Sequence, residues 1–278
     1  MTASPDSRTQ ARTHPPSNAA AAQYAANRPS CPSALLDTVE TLTVRPPRHR
    51  RDADRPPSRR RPGRARVADI GAGTGTATAL LHARGARVVA VEPGEGMAAQ
   101  LRRGLPDVPL VRGDGNHLPL ATASLDLLAY AQSWHWTDPA LTVPEALRVL
   151  RPVGAPALWW NTGAVDVPWI DAQADRVRRH FGIDHVVRKN GDGSRAALAD
   201  PTGGLDSAHR PVRGSRRVPL DLHLANISSH PAFLVHAEES TAAFLAEEHR
   251  HLLAAFPDGT IEETYDVELL LATTPHES

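Results

Sequence analysis

Val67-Ala68-Asp69-Ile70-Gly71-Ala72-Gly73-Thr74-Gly75 decides the fold of this chain. A short stretch of buried-strand character breaks into three glycines at alternate positions and then enters a helical pattern. Without a Cβ, each glycine permits positive φ and lets main chain approach a ligand closely. A second apolar stretch, Arg87-Val88-Val89-Ala90-Val91, ends at Glu92, twenty-one positions past Gly71. That spacing sets a carboxylate at the tip of the neighbouring strand, where it can accept both hydroxyls of a ribose. Together the two features point to a cofactor that contains a nucleoside.

The glycine register narrows the choice. Dinucleotide sites use G-x-G-x-x-G, whose last glycine lies inside the helix that receives the pyrophosphate. Here Thr76 stands at that position, and Asp69 precedes a G-x-G-x-G turn. This arrangement suits a ligand with an amino-acid tail and no phosphates. Further elements follow in order: Glu92-Pro93 with Met97, Gly113-Asp114-Gly115 with Leu118-Pro119-Leu120, and Leu125 through Gln132. Then come Glu145-Ala146-Leu147-Arg148-Val149-Leu150-Arg151-Pro152 and Ala157-Leu158-Trp159-Trp160-Asn161.

This series resembles the class I S-adenosylmethionine-dependent methyltransferases across residues 66–161, and more loosely at both ends. The resemblance implies a doubly wound, Rossmann-like α/β sheet of seven strands that ends in an antiparallel pair. It also implies S-adenosylmethionine as cofactor, held by Asp69, Gly71, Gly73 and Gly75. Glu92, Pro93 and Met97 would hold ribose and adenine, Asp114 and Gly115 the adenine amino group, and Ala131 and Gln132 would enter the pocket. A finer similarity lies in Ser133-Trp134-His135-Trp136-Thr137-Asp138, a turn like that of the methyltransferase type 11 proteins of the UbiE-like and trans-aconitate-methyltransferase-like group. In that group a segment comparable to residues 23–32 folds over the cofactor as a lid, which would make Tyr24 and Arg28 lid residues. Cys31 stands where the group has a tyrosine.

Composition bounds the alternatives. A chain of 278 residues can bury one substantial core. Lys and Arg number 31 against 31 Asp and Glu, so no global field favours nucleic acid or an anionic membrane. One cysteine rules out an internal disulfide framework and a multi-thiolate zinc site. Nothing approaches ~18 continuous apolar residues, and the N-terminus lacks an apolar signal core, so a cytoplasmic protein is expected. The fourteen histidines invite a metal reading, but His249 and His251 stand two apart and face different sides of a helix. No metal is expected.

Residues 1–64 read as a lid segment followed by a linker, and residues 65–278 as the methyltransferase domain with its cofactor-binding core at 65–161. The linker, 45–64, holds nine arginines and five prolines and has nothing to bury. Strands are expected at 66–70, 87–91, 108–112, 125–130 and 156–160, and helices at 33–44, 76–84, 95–103, 138–150 and 169–181. Residues 184–217 read as loop, with late strands near 218–222 and 263–271 and an acidic helix at 238–255 between them. Pro144 and Val153 depart locally from the pattern.

Methyl transfer from a sulfonium needs alignment more than catalysis, with a base in some cases. His135, between Trp134 and Trp136 at the carboxyl end of the fourth strand, is the candidate base, and the two tryptophans are candidate walls for a small-molecule acceptor. Glu92→Ala is expected to weaken cofactor binding and leave the melting temperature of the apo protein nearly unchanged. Two rivals stand: an NAD(P)-dependent oxidoreductase, and a methyltransferase-fold protein that binds without turnover.

Overall fold

The computed structural model describes residues 31–44, 65–182, 206–228, 233 and 236–273. Tyr24, Arg28 and the arginine-rich 45–64 stretch lie outside the described residues. Helix α1 is Ser33–Val44, followed by β1 Arg66–Ile70, α2 Thr76–Ala83, β2 Arg87–Val91, α3 Glu95–Gly104, β3 Leu110–Val111 and β4 Leu125–Ala131. After a 3-10 turn at Trp134–Trp136 come α4 Pro139–Val149, β5 Leu150–Gly163, α5 Pro168–Phe181, β6 Asp206–Pro219, α6 Leu220–Ser228, α7 Glu238–Ala255 and β7 Thr260–Thr273.

The strands form one sheet in the order β3-β2-β1-β4-β5-β7-β6. Pairing is parallel from β3 to β5 and antiparallel on both sides of β7. Parallel strands buried on both faces need mostly apolar side chains, and β1 and β4 meet that demand except at Asp69 and Asp126. Val67, Leu127, Ala129, Trp159 and Leu269 pack on one face against α1 and α2. Ala68, Ile70, Leu128, Tyr130 and Trp160 pack on the other against Ala146 and Val149 of α4. The expected doubly wound sheet of seven strands with its antiparallel pair is therefore present.

Some boundaries differ from the sequence reading. The loop expected at 184–217 contains β6 from Asp206 onward, and the strand expected at 218–222 is the last turn of β6 running into α6. Leu220, Leu222 and Leu224 alternate as a strand would, yet Leu220, His223 and Leu224 are the buried set, the spacing of a helix face. Strand β6 hides its pattern because it is a sheet edge, with Arg210, Pro211, Arg213 and Arg217 exposed. Such residues are the usual guard against edge-to-edge pairing. Strand β5 is longer than expected, and its pairing with β4 shifts register between Leu125 and Leu127, which accommodates Arg151 to Gly154. Helix α4 continues through Pro144 without a break.

Helices α5, α6 and α7 form a second packed group at the carboxyl end of β5 and β6. Val177, Phe233 and Phe244 make one apolar cluster there, and Leu220, Leu224 and Leu252 another. Among the described residues no helix is long and apolar enough to cross a membrane. Leu269→Ala, at a fully buried position in β7, should cost ~2–5 kcal/mol in urea unfolding. Leu253→Ala, on the 41% exposed side chain of α7, should change stability by about 0.5 kcal/mol or less.

Candidate cofactor and acceptor site

The three glycines of the turn after β1 are required for three different reasons. Gly71 has φ +66, and a Cβ there would lie 2.6 Å from Ser133 Cβ. The Ser133 hydroxyl donates to the Ile70 carbonyl, so this contact closes β1 onto the end of β4. Gly75 has φ +94, and a Cβ would lie 2.9 Å from Leu101 Cγ, so α3 packs on that side. Gly73 has φ +60, and a Cβ there would meet nothing within 4 Å. Two glycines serve packing; the third leaves an open face of main chain.

A carboxylate borders that face. Glu92 is 7% exposed, and its oxygens accept from the Gly73 N–H at 2.8 Å and the Gly94 N–H at 2.6 Å. Burial raises its pKa, opposed by those two N–H groups and by Arg112. Each carboxylate oxygen can accept a second hydrogen bond, which leaves capacity for ribose hydroxyls. Because Glu92 satisfies two backbone donors, its removal also loosens the apo turn, and the expectation of an unchanged melting temperature does not hold.

Asp69 is fully buried. Thr78 Oγ1 donates to its Oδ2 at 2.6 Å, and its Oδ1 has no hydrogen-bond partner among the described residues. Burial lifts its pKa to about 6, with Thr78 opposing and the Glu92 carboxylate adding to the rise. A half-satisfied acid at the end of the strand that leads into this turn suits a cationic, hydrogen-bonding group.

The remaining expected residues are distributed around this turn. Met97 is buried on α3, with Cβ and Cγ 3.7 Å from a Cβ built on Gly94. Asp114 Oδ1 accepts from Asn116 N at 2.8 Å and His117 N at 3.0 Å, so the aspartate shapes its own loop. A Cβ on Gly115 would lie 2.7 Å from Thr137 Cγ2. Ala131 ends β4, and Gln132 follows at φ +61, a strained conformation for a non-glycine residue at the carboxyl edge of the sheet. Pro93 accepts from Arg112 through its carbonyl.

The two tryptophans part company. Trp134 is 2% exposed and meets Tyr130 edge-on with ring centroids 4.9 Å apart, so it packs in the core instead of walling a pocket. Trp136 is 47% exposed and tilts against the exposed His135 ring at 4.8 Å.

Sequence reasoning missed the parts that hold the site in place. Glu145 accepts from the Leu118 N–H, and Arg148 donates to the Leu118 and Leu120 carbonyls and to Glu145. The Arg148 hydrogen bond holds the Glu145 carboxyl down at about 2 against desolvation, with the Leu118 N–H adding to the fall. Asn116 Oδ1 accepts from Asp138 N and Thr142 Oγ1, which fixes the same loop to the start of α4. Only the three-residue spacing of Glu145 and Arg148 on a helix was a visible signal.

Comparison with known proteins agrees with this geometry. Residues 68–158 match the family model described as methyltransferase domain. An uncharacterised methyltransferase of Mycobacterium tuberculosis is 40% identical over 136 residues, 49% of this chain and 52% of its own. The chain thus spans about half the length of the first curated relatives it matches. The demethylmenaquinone methyltransferase of Beutenbergia cavernae is 41% identical over 95 residues, 34% of this chain and 39% of its own. The solved structure of a protein assigned to the type II methyltransferases, from Anaeromyxobacter dehalogenans, superposes with a TM-score of 0.64. That match has 24% identity and covers 90% of this chain and 99% of the other. The fold is the α/β, Rossmann-like methyltransferase fold.

Gly71→Ala combines a left-handed φ with a collision and should cost roughly 2–4 kcal/mol in chemical unfolding. Gly73→Ala has room and should cost only ~1–2 kcal/mol from its φ. For Asp69 the folded pKa lies above the unfolded one, so the folded state binds the proton more tightly. Apo stability should fall as pH rises from about 4 to about 6 and level off above, by on the order of 2–3 kcal/mol. Asp69→Asn should flatten that part of a stability-against-pH curve.

Proposed function

We propose that this protein is an S-adenosylmethionine-dependent methyltransferase acting on a small-molecule acceptor, as a soluble enzyme of the cytoplasm. The observation that carries the reading is the open main chain at Gly73, held by Glu92, with the half-satisfied Asp69 buried at the end of the strand that precedes it. The methyltransferase-domain match over residues 68–158 supports it independently. When bound, S-adenosylmethionine supplies a methyl group already activated by the sulfonium charge.

The protein's own residues then bind and align. Gly73 gives the amino-acid tail close access to main chain, and Asp69 places negative charge behind it. Glu92 accepts from the ribose through its remaining lone pairs, and Met97, Pro93 and the Gly113–Gly115 loop border the adenine. Ala131 and Gln132 set the floor between cofactor and acceptor. Trp136 offers an exposed apolar ring at the acceptor side, and His135 beside it is placed to take a proton from an acceptor hydroxyl or amine. Residues 23–32, with Tyr24 and Arg28, serve as a lid in this reading. The turn from Ser133 to Asp138 favours the trans-aconitate-methyltransferase-like and UbiE-like group, and the demethylmenaquinone methyltransferase among the relatives supports a small-molecule acceptor.

Calorimetry on one protein sample with S-adenosylmethionine, S-adenosylhomocysteine and NADH separates the reading from an oxidoreductase. Binding of the first two and not the third is expected. Glu92→Gln replaces an acceptor with an amide and should weaken S-adenosylhomocysteine binding about 10–100-fold. Equal affinity in mutant and parent would remove Glu92 from the site.

A further inference from the structure

Six side chains from five elements form a continuous polar chain through the helical group beside the sheet. Arg216 of β6 donates to Glu263 Oε2, and Glu263 Oε1 lies 2.6 Å from His223 Nδ1 on α6. His223 Nε2 lies 3.1 Å from Gln173 Oε1 on α5. Gln173 Nε2 donates to Glu248 Oε1 of α7 at 2.9 Å, and Arg176 donates to both Glu248 oxygens at 2.6 and 2.7 Å. Glu248, Glu263, Gln173 and His223 are all buried.

Hydrogen-bond accounting fixes the protons. Glu248, bound in a fork by Arg176, is a carboxylate that only accepts, so Gln173 must turn its amide nitrogen toward it and its oxygen toward His223. His223 Nε2 therefore carries a proton. On the other side of the ring, Glu263 faces both Arg216 and Nδ1. Burial favours the acid form of Glu263, but the Arg216 guanidinium that donates to its Oε2 holds it as a carboxylate. An ionised Glu263 at 2.6 Å requires a proton on Nδ1 as well. Among the described residues no other carboxylate bonds to the ring: Trp169 meets it edge-on at 5.5 Å, and Asp221 of the same helix pairs with His249.

We infer that His223 is a doubly protonated imidazolium that clamps α5, α6 and α7 to the start of β7, making this helical group a proton-dependent cap at the carboxyl end of the sheet. Loss of either ring proton sets two lone pairs against each other and breaks one arm of the chain. Both ring nitrogens are engaged, so the His223–Glu263 pair is a structural tie and has no free nitrogen to act as a base.

The test is histidine-selective nitrogen NMR on the full chain at about pH 7.5, with no cofactor present, so its outcome is independent of methyl transfer. Protons on both His223 nitrogens are expected, and a single bare nitrogen would overturn the inference. Glu263→Gln should convert the ring to a neutral form, whereas a ring that stays doubly protonated would overturn the role given to Glu263. Amide exchange in α6, corrected for intrinsic rates, should speed up about tenfold or more in the parent once the ring loses its proton. The same pH step in His223→Gln should leave α6 exchange unchanged; an equal acceleration in both proteins would refute the clamp.

Discussion

The Glu92 carboxylate, accepting from Gly73 and Gly94, is the interaction on which the ligand-facing edge depends. It joins the tip of β2 to the turn after β1 and to the entry of α3, three segments that Ala72, Ala90 and Leu101 also pack together. A buried carboxylate is costly unless it is hydrogen-bonded, and here one backbone donor meets each oxygen. The glycine turn is consequently shaped before any ligand arrives. Its main chain is held from one side by Ser133 and from the other by Leu101, with open space beside Gly73 between them.

A second layer of fixings surrounds this first one. The Gly113–Gly115 loop is tied by Glu145 and Arg148 to the far part of α4, and by Asn116 to its beginning. The loop expected to meet the adenine is thus clamped at two points on a single helix. Around the 134–136 turn the arrangement changes character, with Trp136 and His135 exposed. Helices α5, α6 and α7 are joined by charged side chains as well as by their apolar clusters.

The parts of this molecule legible in the sequence are those governed by local rules. Strands β1, β2 and β4 are mostly apolar because both faces are covered, and the glycine turn carries its own stereochemical mark. Helix α7 was readable to its ends, Glu238 and Ala255, because a polar helix between turn residues is a local pattern. Strand β6 was not, since an edge strand made of Arg, Pro and Gly has no apolar face to announce it. Trp134 could not be sorted from Trp136 by position, because which indole turns inward depends on Tyr130 beneath it. The chain through His223 had no spacing signal either: its members come from β6, α6, α5, α7 and β7, and only tertiary structure brings them together.

The seat of helix α1 also constrains the order in which the chain acquires its structure. Leu35, Leu36 and Val39 pack against Val267, Leu269 and Leu271 of the last strand, and Trp159 donates to the Cys31 thiol. Gly214 has no side chain where Pro32 and Tyr265 close in, so the entry to α1 rests on the two final strands. A ribosome releases α1 long before β7, so Leu35, Leu36 and Val39 wait for partners that are made much later. The first of the described helices is therefore made early and covered late, and its apolar stripe stays open until β7 is released.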